Sequence, residues 1–231
     1  MTKIATKTLR FRTAAQESFA RVLRRESPPV VVVQGPAGTG KTRVATAVGL
    51  ERLLDGEFER MIVTRPVVPA DEEIGYLPGT LNDKMMPWLH PITDAMRDAG
   101  LSAADVDRLF ERGTVEIAPL AFMRGRTFAN SWIVADEAQN CTTNQLLMLM
   151  TRIGLGSKMV VAGDVMQHDL LTAKRTVGGG ECGFATLVDR LRDRDDDDAD
   201  HVGLVEFSSH DVVRHPSIPR IVRLFSSLDS C

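Results

Sequence analysis

The run Val30-Val-Val-Val-Gln34-Gly35-Pro-Ala-Gly-Thr-Gly40-Lys41-Thr42 decides the fold. Four consecutive valines form a short apolar β-branched segment, the pattern of a strand covered on both faces. Gly35–Thr42 then matches GxxxxGK[ST], and a helical pattern runs from Lys41 to Leu54. Strand, glycine-rich turn and helix in that order make a phosphate-binding loop. The glycines let successive N–H groups turn inward on phosphate oxygens, and the helix start adds its positive dipole end. Candidate nucleotide contacts are therefore Gly35, Pro36, Ala37, Gly38, Thr39 and Gly40. Lys41 is the expected cation for the β- and γ-phosphates of ATP, and Thr42 an expected ligand of Mg²⁺.

Outward from the loop, short apolar runs alternate with helical patterns. Strands are expected at 30–34, 61–65, 115–118, 132–135, 159–162 and 202–207. Helices fit at 14–25, 41–54, 103–112, 143–152, 182–192 and 217–225. This alternation predicts an α/β fold, a mostly parallel sheet with helices on both faces. Ser102 with Asp105, and Thr142 with Gln145, have the spacing of capping boxes. One stretch breaks the rhythm. Residues 66–91 hold five of the eleven prolines, with Tyr76 and Trp88 among them. So long and proline-rich a connection is expected to be a folded insertion, taken as 66–100. Its aromatics either pack it onto the core or meet a partner or nucleic-acid strand.

A second motif bears on the fate of the bound nucleotide. Trp132-Ile-Val-Ala-Asp136-Glu137 is an apolar strand ending in two carboxylates. Asp136 fits the second Mg²⁺-holding role, and Glu137 can orient and deprotonate a water attacking the γ-phosphate. A kinase for small molecules needs no base for water, so the pair favours hydrolysis. Asp164 and Gln167, just past the next strand, are placed to report whether the γ-phosphate is present. Hydrolysis also calls for a cation on the developing charge, for which Arg124, Arg126, Arg152 and Arg214 are candidates.

The 231 residues allow one large domain, so two tandem motor domains are not expected. Residues 1–12 read as a basic N-terminal segment and 13–231 as a single ATPase domain. Net charge is −3, yet residues 1–25 carry seven Lys and Arg against Glu17. That face is either a phosphate-backbone contact or a solvated helix surface. Cys141, Cys182 and Cys231 form no CxxC pair, and the five histidines have no metal-ligand spacing, which fits a reducing, cytoplasmic setting. No apolar run approaches the length of a membrane span. The acidic run Asp195–Asp198 reads as a solvated loop, because four adjacent carboxylates cannot converge on one ion.

The motifs in order carry a resemblance. Thr64-Arg65-Pro66, Asp136-Glu137-Ala138-Gln139 and Gly163-Asp164 to Gln167 resemble motifs of superfamily 1 helicase cores. With Gly75-Tyr-Leu-Pro-Gly79, Arg124-Gly-Arg126-Thr127, Leu149-Met-Thr-Arg152 and Asp211-Val-Val-Arg214-His215, the chain resembles the PhoH family of phosphate-starvation-inducible, ATP-binding proteins. The resemblance implies a RecA-like P-loop ATPase linked to RNA metabolism and helicase-like in its motifs. By similarity to helicase Q motifs, Gln16 is expected to read the adenine edge. Some relatives carry an N-terminal PIN-type nuclease; the 34 residues before Gly35 are too few for one, so nuclease activity is not expected. Single-stranded RNA and further copies of the chain, in a ring such as a hexamer, are the expected partners. The competing reading is an ATP-dependent switch or assembly module without motor activity.

Overall fold

The computed structural model describes residues 10–66, 81–166, 182–194 and 200–213, with 81–89 in backbone only. The elements run α1 (Ala14–Arg24), β1 (Val30–Gln34), α2 (Lys41–Leu54), β2 (Arg60–Thr64), α3 (Leu81–Asp98), α4 (Ala103–Glu111), β3 (Val115–Ile117), β4 (Ser131–Ala135), α5 (Thr143–Met150), β5 (Lys158–Gly163), α6 (Gly183–Arg192) and β6 (Val202–Glu206). The described strands form one sheet in the order β3-β2-β4-β5-β1-β6, every pair parallel. Each expected strand is present within one or two residues at its ends. The expected helix at 217–225 and the acidic run lie outside the described residues.

Two cores follow from the alternation of side chains along each strand. Val31 and Val33 pack with Phe19 and Leu23 of α1, Val44 and Val48 of α2, and Met96 of α3. Val30 and Val32 face the other way, into a cluster with Ile133, Met159, Leu146 of α5 and Phe184 of α6. The valine run is therefore apolar throughout because the strand it forms has no solvent face. Both expected capping boxes, Ser102 with Asp105 and Thr142 with Gln145, are formed.

The proline-rich stretch departs from expectation in one respect. Its second half is an 18-residue helix, α3, that runs through Pro87 and Pro91. Proline removes a backbone donor and crowds the preceding turn, so the sequence pattern argues against a helix here. Burial of Ile92, Ala95 and Met96 in the same core as α2 supplies the compensating contacts. Arg43 of α2 also pairs with Asp98 of α3 at 2.9 Å. Residues 81–98 are thus a layer of the main core. Residues 67–80, with Tyr76, lie outside the described set, as does the Trp88 side chain.

The contact of α2 with β4 sets the position of the loop. The Trp132 indole N–H donates to the Ala45 carbonyl at 3.2 Å. The ring fits there because position 49 is glycine: a Cβ on Gly49 would lie 2.1 Å from Trp132 Nε1. The C-terminal end of α1 is held as well, Lys158 Nζ donating to Arg25 O at 2.6 Å and Arg52 to Leu23 O at 3.2 Å. Lys158 is 2% exposed, and burial, with the nearby Arg52 charge, pulls its pKa down from 10.5 to about 8. On α1's outer face Arg21 pairs with Glu17, and Arg24 with Glu51, which fits the solvated-surface reading of the basic segment. No helix among the described residues is long and apolar enough to cross a membrane.

Both contacts have measurable consequences. Gly49→Ala forces the indole off Ala45 and should cost about 1–3 kcal/mol in urea unfolding, despite alanine's better helix propensity. Between pH 8 and 10.5 the unfolded chain keeps the Lys158 proton that the folded chain has lost, so stability rises with pH across that window. Unfolding free energy should climb there by roughly 2–3 kcal/mol, and Lys158→Met should remove most of the climb.

Candidate active site

All strands point their C-terminal ends to one edge of the sheet, and the loops there enclose a cleft of about 280 Å³. Gly40, Thr42, Arg65, Asp136, Glu137 and Asp164 are among the residues that line it. The phosphate loop is built into the sheet on both sides. Gly35 N–H donates to Gly163 O at 3.3 Å, and Val213 N–H to Gly38 O at 2.9 Å. Helices α1, α4 and α5 begin with a side-chain cap from Thr13, Ser102 and Thr142. Helix α2 begins at Gly40 in the left-handed region, with no side-chain cap and no acidic residue in its first turn. Its positive dipole end therefore meets no capping side chain and no acidic residue of its own first turn, an arrangement suited to an anion. Lys41 Nζ lies over the loop, on Gly35 O at 2.5 Å and Pro36 O at 3.1 Å.

Thr42 and Asp136 meet across the cleft, Thr42 Oγ1 donating to Asp136 Oδ1 at 2.7 Å. Burial pushes the Asp136 carboxyl up, the Thr42 hydrogen bond works against that, and the neighbouring Glu137 charge adds to it. A carboxylate enclosed in this way gains from a cation. The hydroxyl and carboxylate are hard oxygen donors, and the described residues contain no cluster of three acidic, His or Cys side chains that would cage a metal. That donor set fits Mg²⁺, which takes one or two protein ligands together with substrate phosphates and water.

Glu137 follows Asp136 in a left-handed conformation, φ 54° and ψ 37°. A non-glycine residue held there costs on the order of 1–3 kcal/mol and turns the side chain out of the strand's alternation. Its carboxylate is held from two sides: Arg65 approaches Oε1 at 3.7 Å, and Gln139 Nε2 donates to Oε2 at 2.5 Å. Gln139 Oε1 in turn accepts the Asp164 N–H at 3.2 Å. Asp164 is buried and bends the chain by accepting from Met166 N–H at 3.0 Å. Arg65 and Gln139 belong to the helicase-like motifs; the Gln139 contact is local, two residues along the chain, whereas the Arg65 contact depends on β2 lying beside β4 and carries no spacing signal.

The arginine candidates separate. Arg126 pairs with Glu116 on its own edge strand at 2.6 Å and lies over the Phe128 ring at 4.6 Å. Arg152 donates to Arg126 O and Met148 O, holding the same loop. Both cations are thus committed within the chain. Arg124 is exposed and forms no ion pair among the described residues. Strand β3, which leads into this loop, is two strands from β4 and four from β1, about 10 and 19 Å at the usual strand spacing. Gln167 and Arg214 lie outside the described residues.

The chain is similar in sequence and in fold to known proteins. A family model described as PhoH-like protein matches residues 8–226. The chain is 40% identical over 219 residues to a PhoH-like protein of Bacillus subtilis, covering 95% of this chain and 64% of that one. It is 38% identical over 216 residues to protein PhoH of Escherichia coli, covering 93% of this chain and 57% of that one. The chain therefore spans about three fifths of the length of these relatives. Among solved structures, the large terminase of a thermophilic bacteriophage aligns with TM-score 0.54 at 13% identity, over 91% of this chain and 49% of that one. The likeness to the terminase is one of fold, that of a P-loop NTPase.

Gln16, expected to read an adenine edge, lies against the phosphate loop. Its side chain is 2% exposed; Nε2 donates to Thr39 O at 2.9 Å and Oε1 accepts Arg12 N–H at 2.9 Å. A Cβ on Gly40 would lie 2.8 Å from Nε2. The amide sits against the phosphate loop and braces it. Gln16→Ala should cost about 1–3 kcal/mol of stability and weaken ATP and GTP binding by similar factors in nucleotide titrations. A loss confined to ATP would restore the base-reading role.

Proposed function

Because the chain belongs to the PhoH family, we propose that it binds ATP with Mg²⁺ in this cleft and hydrolyses it to ADP and phosphate, with turnover coupled to single-stranded RNA. The observation that carries hydrolysis is Glu137, a second carboxylate at the end of β4 beside the Thr42–Asp136 contact, held with one edge toward the cleft. The loop N–H groups and Lys41 bind the phosphates. Thr42 and Asp136 hold the cation, which when bound neutralises charge between the β- and γ-phosphates. Glu137 orients a water in line with the γ-phosphate and takes its proton. Arg65 and Gln139 keep that carboxylate in one place.

The coupling to RNA rests on the family and on the helicase-like motif order. A ring of identical subunits completes the reading. The charge that develops on the γ-phosphate is met by an arginine of the neighbouring copy, Arg124 or Arg214, since Arg126 and Arg152 are engaged at home.

Phosphate release measured with and without single-stranded RNA tests this. Turnover should rise severalfold with RNA, and Glu137→Gln should lower it by about 10²–10⁴ while ATP binding is kept. Turnover that survives the Glu137 change removes the base. Turnover indifferent to RNA, with no RNA retained at low salt, leaves an ATPase without the proposed coupling.

A further inference from the structure

Gln139 is 3% exposed and spans the ends of two adjacent strands. Its amide can face only one way. The Asp164 N–H can only donate, so Oε1 must turn to it, and Nε2 is left to face Glu137. The contacts are 3.2 Å at Oε1 and 2.5 Å at Nε2. The backbone of Gln139 is anchored independently. It lies in a tight turn, Ala138–Asn140, and its carbonyl accepts the Cys182 Sγ–H at 3.2 Å at the start of α6. Burial pushes the adjacent Cys141 thiol up to about 12, so that thiol stays protonated and apolar in character. The side chain is therefore a rigid strut with a polar end on each of two functional groups.

We propose that Gln139 is a positioning residue which couples the Asp164–Met166 turn to the Glu137 carboxylate. A shift of the Asp164 backbone moves the donor to one amide atom, and the planar amide passes the motion to the other. Glu137 can respond because its remaining restraint, Arg65, stands at 3.7 Å and both side chains are about one third exposed. Asp164 lines the cleft just past the end of β5, so a ligand that shifts its backbone also re-aims the base. This role rests on the hydrolysis reading and adds to it a residue that acts through Glu137.

The test is a double-mutant cycle on the full chain. Gln139→Met keeps length and shape and removes both hydrogen bonds; Glu137→Gln removes the base. Single-turnover ATP cleavage at saturating nucleotide, ATP affinity by titration and thermal unfolding are read for wild type, both single variants and the double. Gln139→Met should lower the cleavage rate about tenfold or more with ATP affinity within about twofold, and should cause no further loss in the Glu137→Gln background. Gln139→Asn, whose amide is too short to span both groups, should give the same rate loss and serves if the Met variant does not fold. Losses that multiply in the double variant, or a loss in affinity with the rate intact, overturn the positioning role alone. A wild type that binds ATP and releases no phosphate overturns the hydrolysis reading, and this role with it.

Discussion

The indole of Trp132 is the contact on which the site depends. Thr42 and Asp136 are 94 residues apart in sequence, one at the start of α2 and the other just past β4. What brings them within 2.7 Å is the seating of α2 on β4, and Trp132 is fully buried at that seat. Its N–H is satisfied by Ala45 O, its ring meets Phe58 edge-on at 5.5 Å, and the Arg52 guanidinium lies 5.9 Å from it. An apolar residue of the same size would bury similar area, but would leave the Ala45 carbonyl without this donor and the helix free to slide. Because the ring occupies the volume a side chain at position 49 would take, helix and strand have one close-packed register.

From that register the polar layer of the site follows. The phosphate loop is the backbone at the end of β1, and the carboxylates are side chains at the end of β4, with β5 between them. The intervening strand brings Asp164 and the 163 carbonyl to the floor of the cleft, where the first braces Gln139 and the second accepts from Gly35. Strand β2, on the far side of β4, delivers Arg65 to Glu137. Each strand of the inner sheet thus contributes at least one group, and the parallel arrangement puts all of them on one edge, the position at which open α/β sheets bind ligands.

Much of this was legible in the sequence, for identifiable reasons. The phosphate loop acts through its own backbone, so its eight contiguous residues carry both geometry and chemistry. The Asp136–Glu137 pair was readable because the strand that presents it is an unbroken apolar run. Helix α3 was not, since Pro87 and Pro91 argue locally against a helix and the burial of Ile92 and Met96 that outweighs them is a tertiary fact. The arginines were indistinguishable in sequence; Glu116 and Phe128 single out Arg126 only after β3 and its following loop have folded.

The sequence by itself determined the fold class, the strand order along the chain, the family and the candidate residues for phosphate and cation binding. Those properties rest on periodicity and on contiguous motifs, which need no knowledge of what lies across the sheet. Tertiary structure alone decided the partners: Gln16 against Thr39, Arg65 on Glu137, Gln139 on Asp164, Trp132 in the space at Gly49. A hydrogen bond is directional over about 3 Å. Whether a side chain makes one depends on the packing of residues distant in sequence, and no local pattern encodes that.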